Sequence, residues 1–315
     1  MAVMGQEAPG QMAYSAQTRL LVIAPHPDDE TLGAGILIQR VREAGGRVDI
    51  VLLTDGDNNP WPQRLLERRL RIGRAGRARW AARRRQEMSR ALRELGMPAD
   101  GLHALGWPDQ GLAPLLLQPG NDLVPEIAAL FAALEPTLVV LPALADRHPD
   151  HGTAHVLVRL ALAATQMQPL LWTYLVHGRE LPGPSFAVDG SAAQRAAKQA
   201  ALAAHASQLA LGRGRLQHMS ERPERFAPVA AEAGIGNCLP WVPPWWLRPW
   251  LRLDLVGLRG VQRWTWARAP LRLDATRGLP VLDLADADGA PRFARLSLPL
   301  RSPWIFDHWG WAELE

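Results

Sequence analysis

The chain has 315 residues, of which 48% are hydrophobic and 21% charged, and its formal net charge is +4 at pH 7. This composition predicts a packed core, and the small excess of base says little about partners. The single cysteine, Cys238, excludes an internal disulfide framework and a thiolate-rich zinc cluster. The N-terminus lacks the pattern of a signal peptide, and no apolar run reaches the length of a spanning helix. We therefore expect a cytoplasmic protein, with residues 1–17 forming a flexible N-terminal tail.

Short apolar runs alternate with amphipathic stretches from residue 18 to about residue 235. The apolar runs predict strands at 19–25, 47–56, within 102–110, at 137–143 and at 170–176. Helices are predicted over 31–45, 83–96, 122–134, from about 151 onward, and over 191–211. This alternation is typical of an α/β fold with a Rossmann-like, doubly wound and mostly parallel sheet. Ligands of such sheets bind beyond the carboxyl ends of the strands.

The composition changes near residue 236, and the remaining residues contain nine of the thirteen tryptophans. We predict a Trp-rich C-terminal β extension over 236–315, beside a catalytic domain over 18–235. Its stretch "PVLDLADADGAPRFARLSLPL" is predicted to form a hairpin that turns at Asp288-Gly289. Residues 239–257 admit two interpretations. They form either a Trp-rich core seam or oligomer contact, or an anchor at the inner face of a membrane.

Histidines and carboxylates directly follow two of the predicted strands. "PHPDDE" (25–30) ends the first strand, and "HPDH" (148–151) follows the strand at 137–143. In a parallel sheet the two strand ends can meet, and zinc binds imidazole nitrogen and carboxylate oxygen. His26, Asp29 and His151 would supply three ligands, although another divalent ion also suits such a set.

Two further groups of these motifs, Asp28 and His148, remain available for proton transfer. A metal ion that acidifies water and polarises a carbonyl, beside groups that move protons, indicates metal-assisted hydrolysis.

The paired motifs resemble those of the PIG-L, or LmbE-like, family of zinc-dependent de-N-acetylases. "RRQEMSRALRELG" (84–96) and "KQAALAAHASQ" (198–208) are similar to two helices of that family, so the resemblance covers about residues 18–230. It implies removal of acetyl from an N-acetylglucosamine-type sugar. It also implies that the zinc ligands and catalytic residues are those at the two motifs.

In detail, the resemblance assigns His26, Asp29 and His151 to zinc and Asp28 to the role of general base. His148 is similar to the family's second catalytic residue, and Asp150 to its orienting partner.

Candidate substrate residues are Asp57, Asn58 and Trp61 in the stretch after the second strand, together with Arg84 and His205. Eleven arginines lie between Arg64 and Arg90 and form either a solvated helix face or a basic rim for an anionic substrate.

We expect a small-molecule or lipid-linked amino sugar as substrate and no nucleic acid. The alternatives are an amidase for a different N-acyl or amide-linked substrate, and a metal-containing polyanion-binding protein. The sugar's carrier and the oligomeric state stay open.

Overall fold

The computed structural model describes residues 13–314 except 179, 230–235, 285–288, 300–305 and 307. The chain divides into two compact units. The first unit comprises the described residues up to Gly111, Leu134–Pro142 and Pro169–Val229. The second comprises Leu112–Ala133, Ala143–Gln168 and the described part of 230–315. The predicted N-terminal tail lies outside the described residues up to position 12, and Tyr14 packs against the core of the first unit.

A seven-stranded sheet forms the centre of the first unit. Its strands are β1 (Arg19–Ala24), β2 (Arg47–Thr54), β3 (Leu102–Trp107), β4 (Leu138–Pro142), β5 (Leu170–Tyr174), β6 (Phe186–Val188) and β7 (Glu224–Pro228). Their order across the sheet is β3-β2-β1-β4-β5-β7-β6. The pairs from β3 to β5 are parallel, whereas β7 runs antiparallel to both β5 and β6. The predicted mostly parallel α/β fold is confirmed.

The central strand β1 is buried along nearly its whole length. Leu20–Ala24 are at most 1% exposed, as expected for a continuously apolar strand that is covered on both faces. Its carboxyl end leads directly into the first acidic motif.

The helices of the first unit are α1 (Asp29–Glu43), α2 (Pro60–Glu67), α3 (Arg74–Glu94), α7 (Ala192–Ala204) and α8 (Ala206–Glu221). α1 packs closely on the sheet because Gly33 has no side chain: a Cβ there would overlap with the Tyr174 ring. The helix predicted over 191–211 is two helices that meet at His205, whose backbone leaves the helical region at ψ 49°. No helix in the described part of the chain is long and apolar enough to cross a membrane.

The described residues of the second unit form three α-helices and two antiparallel sheets. The helices are α4 (Leu112–Leu116), α5 (Leu123–Leu134) and α6 (Pro149–Thr165). The strands are β8 (Arg252–Gly257), β9 (Gly260–Thr265), β10 (Leu271–Leu273), β11 (Pro280–Leu282), β12 (Arg292–Ser297) and β13 (Trp311–Leu314). A four-stranded sheet has the order β13-β12-β8-β9, and β10 pairs with β11. The core of the sheets includes Leu239, Leu251 and Leu253, all fully buried.

The predicted hairpin at Asp288-Gly289 is wrong. Its first run is β11, which pairs with β10, and its second run is β12, which pairs with β8 and β13. Asp288 itself lies outside the described residues. The two runs do not pair with each other because β12 has β13 and β8 as its neighbours, and Val281 of β11 is paired with Arg272 on one side and Cys238 on the other.

Candidate active site

The acidic motif after β1 begins with a strained backbone at Asp28. This residue precedes α1 with φ +119°, a region that favours glycine and that costs other residues about 1–3 kcal/mol. Its N–H donates to Glu30 Oε2 at 3.0 Å. Glu30 is fully buried, and its Oε1 lies 3.1 Å from His205 Nε2. Burial alone would lower the pKa of His205, but the hydrogen bond and the charge of Glu30 outweigh it and raise that pKa.

Arg84 holds the loops on either side of the Asp28 carboxylate. Its Nη1 donates to the carbonyl of Gly56 at 2.9 Å and its Nη2 to the carbonyl of Pro27 at 2.5 Å. Nη2 also lies 3.6 Å from Asp28 Oδ1. A Cβ at Gly56, where φ is +61°, would overlap with the Arg84 guanidinium. The guanidinium is therefore fixed beside the predicted general base.

The Asp28 carboxylate is 13% exposed. Removal from water raises its pKa to about 6, against the opposing charge of Arg84 and with a further contribution from Asp29. A carboxylate with this pKa is ionised at neutral pH and is more basic than an ordinary aspartate, which suits a general base.

His26 has a carboxylate at each ring nitrogen. Its Nδ1 lies 3.2 Å from Asp29 Oδ2, and its Nε2 lies 3.2 Å from Asp109 Oδ1. Asp109 in turn accepts the backbone N–H of Asn58 at 2.6 Å. Burial alone would raise the pKa of Asp109, but the hydrogen bond and charge of His26 hold it below its usual range. Asp109 thus connects the loop after β2 to His26.

The second motif opens α6, where the His148 side chain caps the helix by accepting the N–H of Asp150 at 3.3 Å. Asp150 Oδ1 accepts the N–H of Leu112 at 3.2 Å. Asp146 Oδ2 lies 3.1 Å from His151 Nδ1, and both side chains are fully buried. Asp146 Oδ1 also accepts the N–H of His148 at 2.9 Å. Asp146 therefore orients the motif from the preceding loop.

The C-terminal strand β13 supports this end of α6. Trp311 Nε1 donates to Thr153 Oγ1 at 3.1 Å, and Arg159 forms a bidentate ion pair with Glu313 at 2.9 and 2.6 Å. A Cβ on Gly152 would lie 2.9 Å from the Trp311 ring. The C-terminal extension thus packs directly against the helix that carries His151.

The donors at both motifs fit a zinc ion. They are imidazole nitrogens and carboxylate oxygens of buried residues, which are ligands that Zn²⁺ accepts. A ring nitrogen of His148 lies within 4.8 Å of a ring nitrogen of His151, so the predicted proton-transfer group is beside a predicted ligand. The carboxylate at His151 Nδ1 leaves Nε2 for a metal, which is the usual arrangement around metal-binding histidines.

The predicted substrate residues do not all face solvent. Trp61 is 60% exposed, whereas Asn58 is half-buried and holds Asp109. Removal from water, followed by the charge of Asp109, raises the pKa of the half-buried Asp57. Arg84 and His205 are buried partners of Asp28 and Glu30. Nine of the eleven arginines between residues 64 and 90 are exposed, as a solvated face requires, and Arg84 alone among them is fully buried.

Sequence reasoning missed three residues near the motifs. Asp109 and Asp146 contact His26 and His151, and His177 offers a ring nitrogen within 4.8 Å of an Asp29 oxygen. The only signal in the sequence is position, because each of the three follows a strand of the parallel sheet within a few residues.

A carboxylate of raised pKa and buried donors that suit Zn²⁺ both follow strands of the parallel sheet, and these are the groups that a metal-dependent hydrolase uses. Its residues 21–162, which contain both motifs, match the PIG-L family model, described as GlcNAc-PI de-N-acetylase. The 1D-myo-inositol 2-acetamido-2-deoxy-alpha-D-glucopyranoside deacetylase of Mycobacteroides abscessus is 32% identical over 237 residues, which cover 61% of this chain and 81% of that protein. The chain belongs to the PIG-L family, and it is an enzyme that hydrolyses an N-acetyl amide bond.

Two further comparisons extend this result. The enzyme of the same name from Corynebacterium jeikeium is 27% identical, and the match covers 71% of this chain and 87% of that protein. A crystal structure of a deacetylase triple mutant from the teicoplanin biosynthetic pathway matches with a TM-score of 0.53 and 20% identity. The match covers 69% of this chain and 100% of that one. At this identity the structural likeness shows the fold.

Proposed function

We propose that this enzyme removes the acetyl group from an N-acetylated amino sugar on a small-molecule or lipid-linked carrier. The observation that carries the proposal is the Asp28 carboxylate, which is held in a strained conformation with its pKa raised to about 6 within the first metal-ligand motif. The substrate class is supported by the relative in Mycobacteroides abscessus, whose name specifies an acetamido-glucopyranoside of inositol. We further propose that the enzyme acts in the cytoplasm.

We propose His26, Asp29 and His151 as the zinc ligands. In support, β1 and β4 are parallel neighbours in the sheet, and the two motifs follow the carboxyl ends of these strands. Asp146 would orient His151, and Asp109 would orient His26. When bound, Zn²⁺ lowers the pKa of a water molecule and polarises the acetamide carbonyl.

The proposed proton transfers use Asp28 and His148. Asp28 accepts a proton from the attacking water and returns it to the amine nitrogen as the C–N bond breaks, which releases acetate and the free amino sugar. Arg84 fixes the loops that hold Asp28. His148 Nδ1 accepts the N–H of Asp150, which leaves the ring proton on Nε2. From Nε2 the ring can donate a hydrogen bond to the carbonyl oxygen as negative charge develops there. Asp150 serves as the orienting partner through this N–H and through its bond with Leu112.

Trp61 is the proposed stacking surface for the sugar. It lies in the first turn of α2, where Asn59 caps the helix, and the Arg64 guanidinium is 4.9 Å from its ring centroid. An exposed aromatic face beside a cation suits a sugar that carries an acidic group. Asn58 and Asp57 lie in the same loop and are proposed to contact sugar hydroxyls.

The test is primary-amine release from N-acetylglucosaminyl compounds by the zinc-loaded enzyme. The panel contains simple glycosides, nucleotide sugars and lipid-linked forms, and Asp28→Asn is assayed beside the wild type with its zinc content measured. Asp189→Asn, which changes a carboxylate that is 69% exposed, is the matched control. We expect release by the wild type and the control, and loss in Asp28→Asn with zinc retained. No release from any sugar, with zinc bound, would reject the amino-sugar substrate and leave another amide.

A further inference from the structure

Three tryptophans of the second unit project into solvent from one short segment, residues 241–250, which we call the tryptophan turn. Trp245, Trp246 and Trp250 are 79%, 58% and 65% exposed. Together they expose on the order of 300–500 Å² of aromatic surface, which is as large as the functional patches of soluble proteins. The neighbouring Val242 is also 58% exposed. A core seam therefore accounts for Trp241, which is buried, but not for these residues.

The tryptophan turn is held by its own backbone and by buried residues at both ends. Leu247 N–H donates to the Pro244 carbonyl at 3.0 Å, and Trp250 N–H donates to the Leu247 carbonyl at 2.9 Å. Arg248 Nε donates to the carbonyl of Pro243 at 3.0 Å. Trp241 Nε1 donates to the carbonyl of Trp309 at 3.0 Å, and the following Leu251 is fully buried. The exposure of the tryptophans is thus built into an ordered turn.

The surroundings of the tryptophan turn carry positive charge. Residues 239–281 contain seven arginines and two aspartates. One of the aspartates, Asp254, is 1% exposed and accepts from Arg263 Nε at 2.7 Å. Arg248 lies within the turn, and Arg252, which is exposed, follows shortly after it. Arg268 is exposed on the short helical turn 266–268, which contacts 248–250.

We propose that the tryptophan turn docks the enzyme on the surface of an anionic lipid bilayer. Tryptophan rings favour the headgroup region, and arginines beside them are attracted to anionic lipid. The charge argues for this occupant, since the segment from Leu239 to Arg252 contains arginines and neither aspartate nor glutamate. Docking uses only residues of the second unit that are remote in sequence from the two metal motifs, so it does not rest on the proposed deacetylation.

The experiment is flotation of the zinc-loaded enzyme with vesicles of phosphatidylcholine alone or mixed with phosphatidylglycerol. The test variant is Trp245→Ser/Trp246→Ser/Trp250→Ser. Its matched control is Leu273→Ser, which removes an apolar side chain of the same unit that is 71% exposed. Arg252→Gln removes one positive charge from an exposed side chain outside the turn and should weaken the partition coefficient about fivefold. Release of amine from a soluble substrate is measured for each variant as a check on folding.

We expect the wild type and Leu273→Ser to float with the anionic vesicles, and the triple variant to stay at the bottom with its soluble activity intact. Flotation of the triple variant equal to that of the wild type would overturn the proposal. Absence of flotation by the wild type would do the same. Sedimentation could instead show that the wild type does not float but forms a concentration-dependent dimer, and that the triple variant loses this dimer. That result would overturn the docking proposal in favour of a contact between two copies of the chain. A catalytically inactive Asp28→Asn should float normally, which separates the docking from the reaction.

Discussion

A buried ion pair supports the middle of α1, the helix that follows the acidic motif. Lys198 Nζ lies 2.5 Å from Glu224 Oε1, and each side chain is 1% exposed. Glu224 also accepts the N–H groups of Ile36 at 2.7 Å and Leu37 at 3.0 Å. Lys198 donates to the Leu32 carbonyl at 3.1 Å. The pair thereby connects α7 and β7 to the backbone of α1.

Removing the charge of Glu224 should be more costly than removing both charges. Glu224→Gln leaves a fully buried ammonium without a counter-ion, which we expect to lower the free energy of unfolding by about 3–5 kcal/mol. Lys198→Met leaves Glu224 with two backbone N–H donors, so we expect a loss of about 1–3 kcal/mol. In the double variant no charge of this pair remains. Adding Lys198→Met to Glu224→Gln should therefore restore part of the lost stability.

Urea unfolding of the four proteins, followed by far-ultraviolet circular dichroism and by tryptophan fluorescence, measures this cycle. The control is Asp189→Asn at the exposed pair with Arg195, which should change stability by about 0.5 kcal/mol or less. A double variant that is less stable than Glu224→Gln alone would refute the reasoning, because it would show that the ammonium has no unfavourable energy when unpaired.

Three further predictions concern Asp146, Arg84 and Tyr14. The Asp146 carboxylate orients His151, so Asp146→Asn should weaken zinc binding about 10–100-fold, as measured by competition with a chelator. An unchanged zinc affinity would contradict this role of Asp146. Arg84→Lys should lower kcat about 10–100-fold with little change in KM, because a lysine cannot hold both carbonyls beside Asp28. A rise in KM alone would instead assign Arg84 to substrate. Burial raises the pKa of Tyr14 to about 12 in the folded protein. The stability that the buried, neutral Tyr14 side chain contributes is therefore complete below pH 10 and is lost as the pH rises toward 12. Absorbance titration should show one tyrosine ionising near pH 12 that is missing in Tyr14→Phe, and ionisation near pH 10 would disprove the burial effect.

The central strands of the sheet could be predicted from sequence because they are apolar on both faces, whereas β6 and β7 were not predicted, since they are short and carry no continuous apolar run. β1 and β4 read as continuous hydrophobic runs, and every residue of β4 is buried. The strand partners of the C-terminal sheets could not be predicted. β11 and β12 are joined by a turn signal, yet their pairing depends on β8, β10 and β13, which no local pattern identifies.

The positions of the two histidine–aspartate motifs could also be read from the sequence, because each follows a strand of the parallel sheet. Their role as zinc ligands stays a prediction. Asp109 and Asp146 were not predictable, since a single aspartate after a strand is an ordinary turn residue. Their contacts with His26 and His151 arise only when the chain is folded. Likewise, the break at His205 has no glycine or proline to announce it. The Glu30 carboxylate that holds the His205 ring lies 175 residues away.

The three consecutive acids of the first motif are stable together because each has a different basic partner. Asp28 faces Arg84, Asp29 faces His26, and Glu30 faces His205, at 3.6, 3.2 and 3.1 Å. Without these partners, repulsion and lost hydration would favour protonation of the cluster. Arg84 and His205 lie in the two helices that resemble those of the family, and the sequence made them candidates for contact with the substrate. The distances show instead that they pair with Asp28 and Glu30. Together with His26 they stabilise the three neighbouring carboxylates, as the proposed roles of Asp28 as a base and of Asp29 as a ligand require.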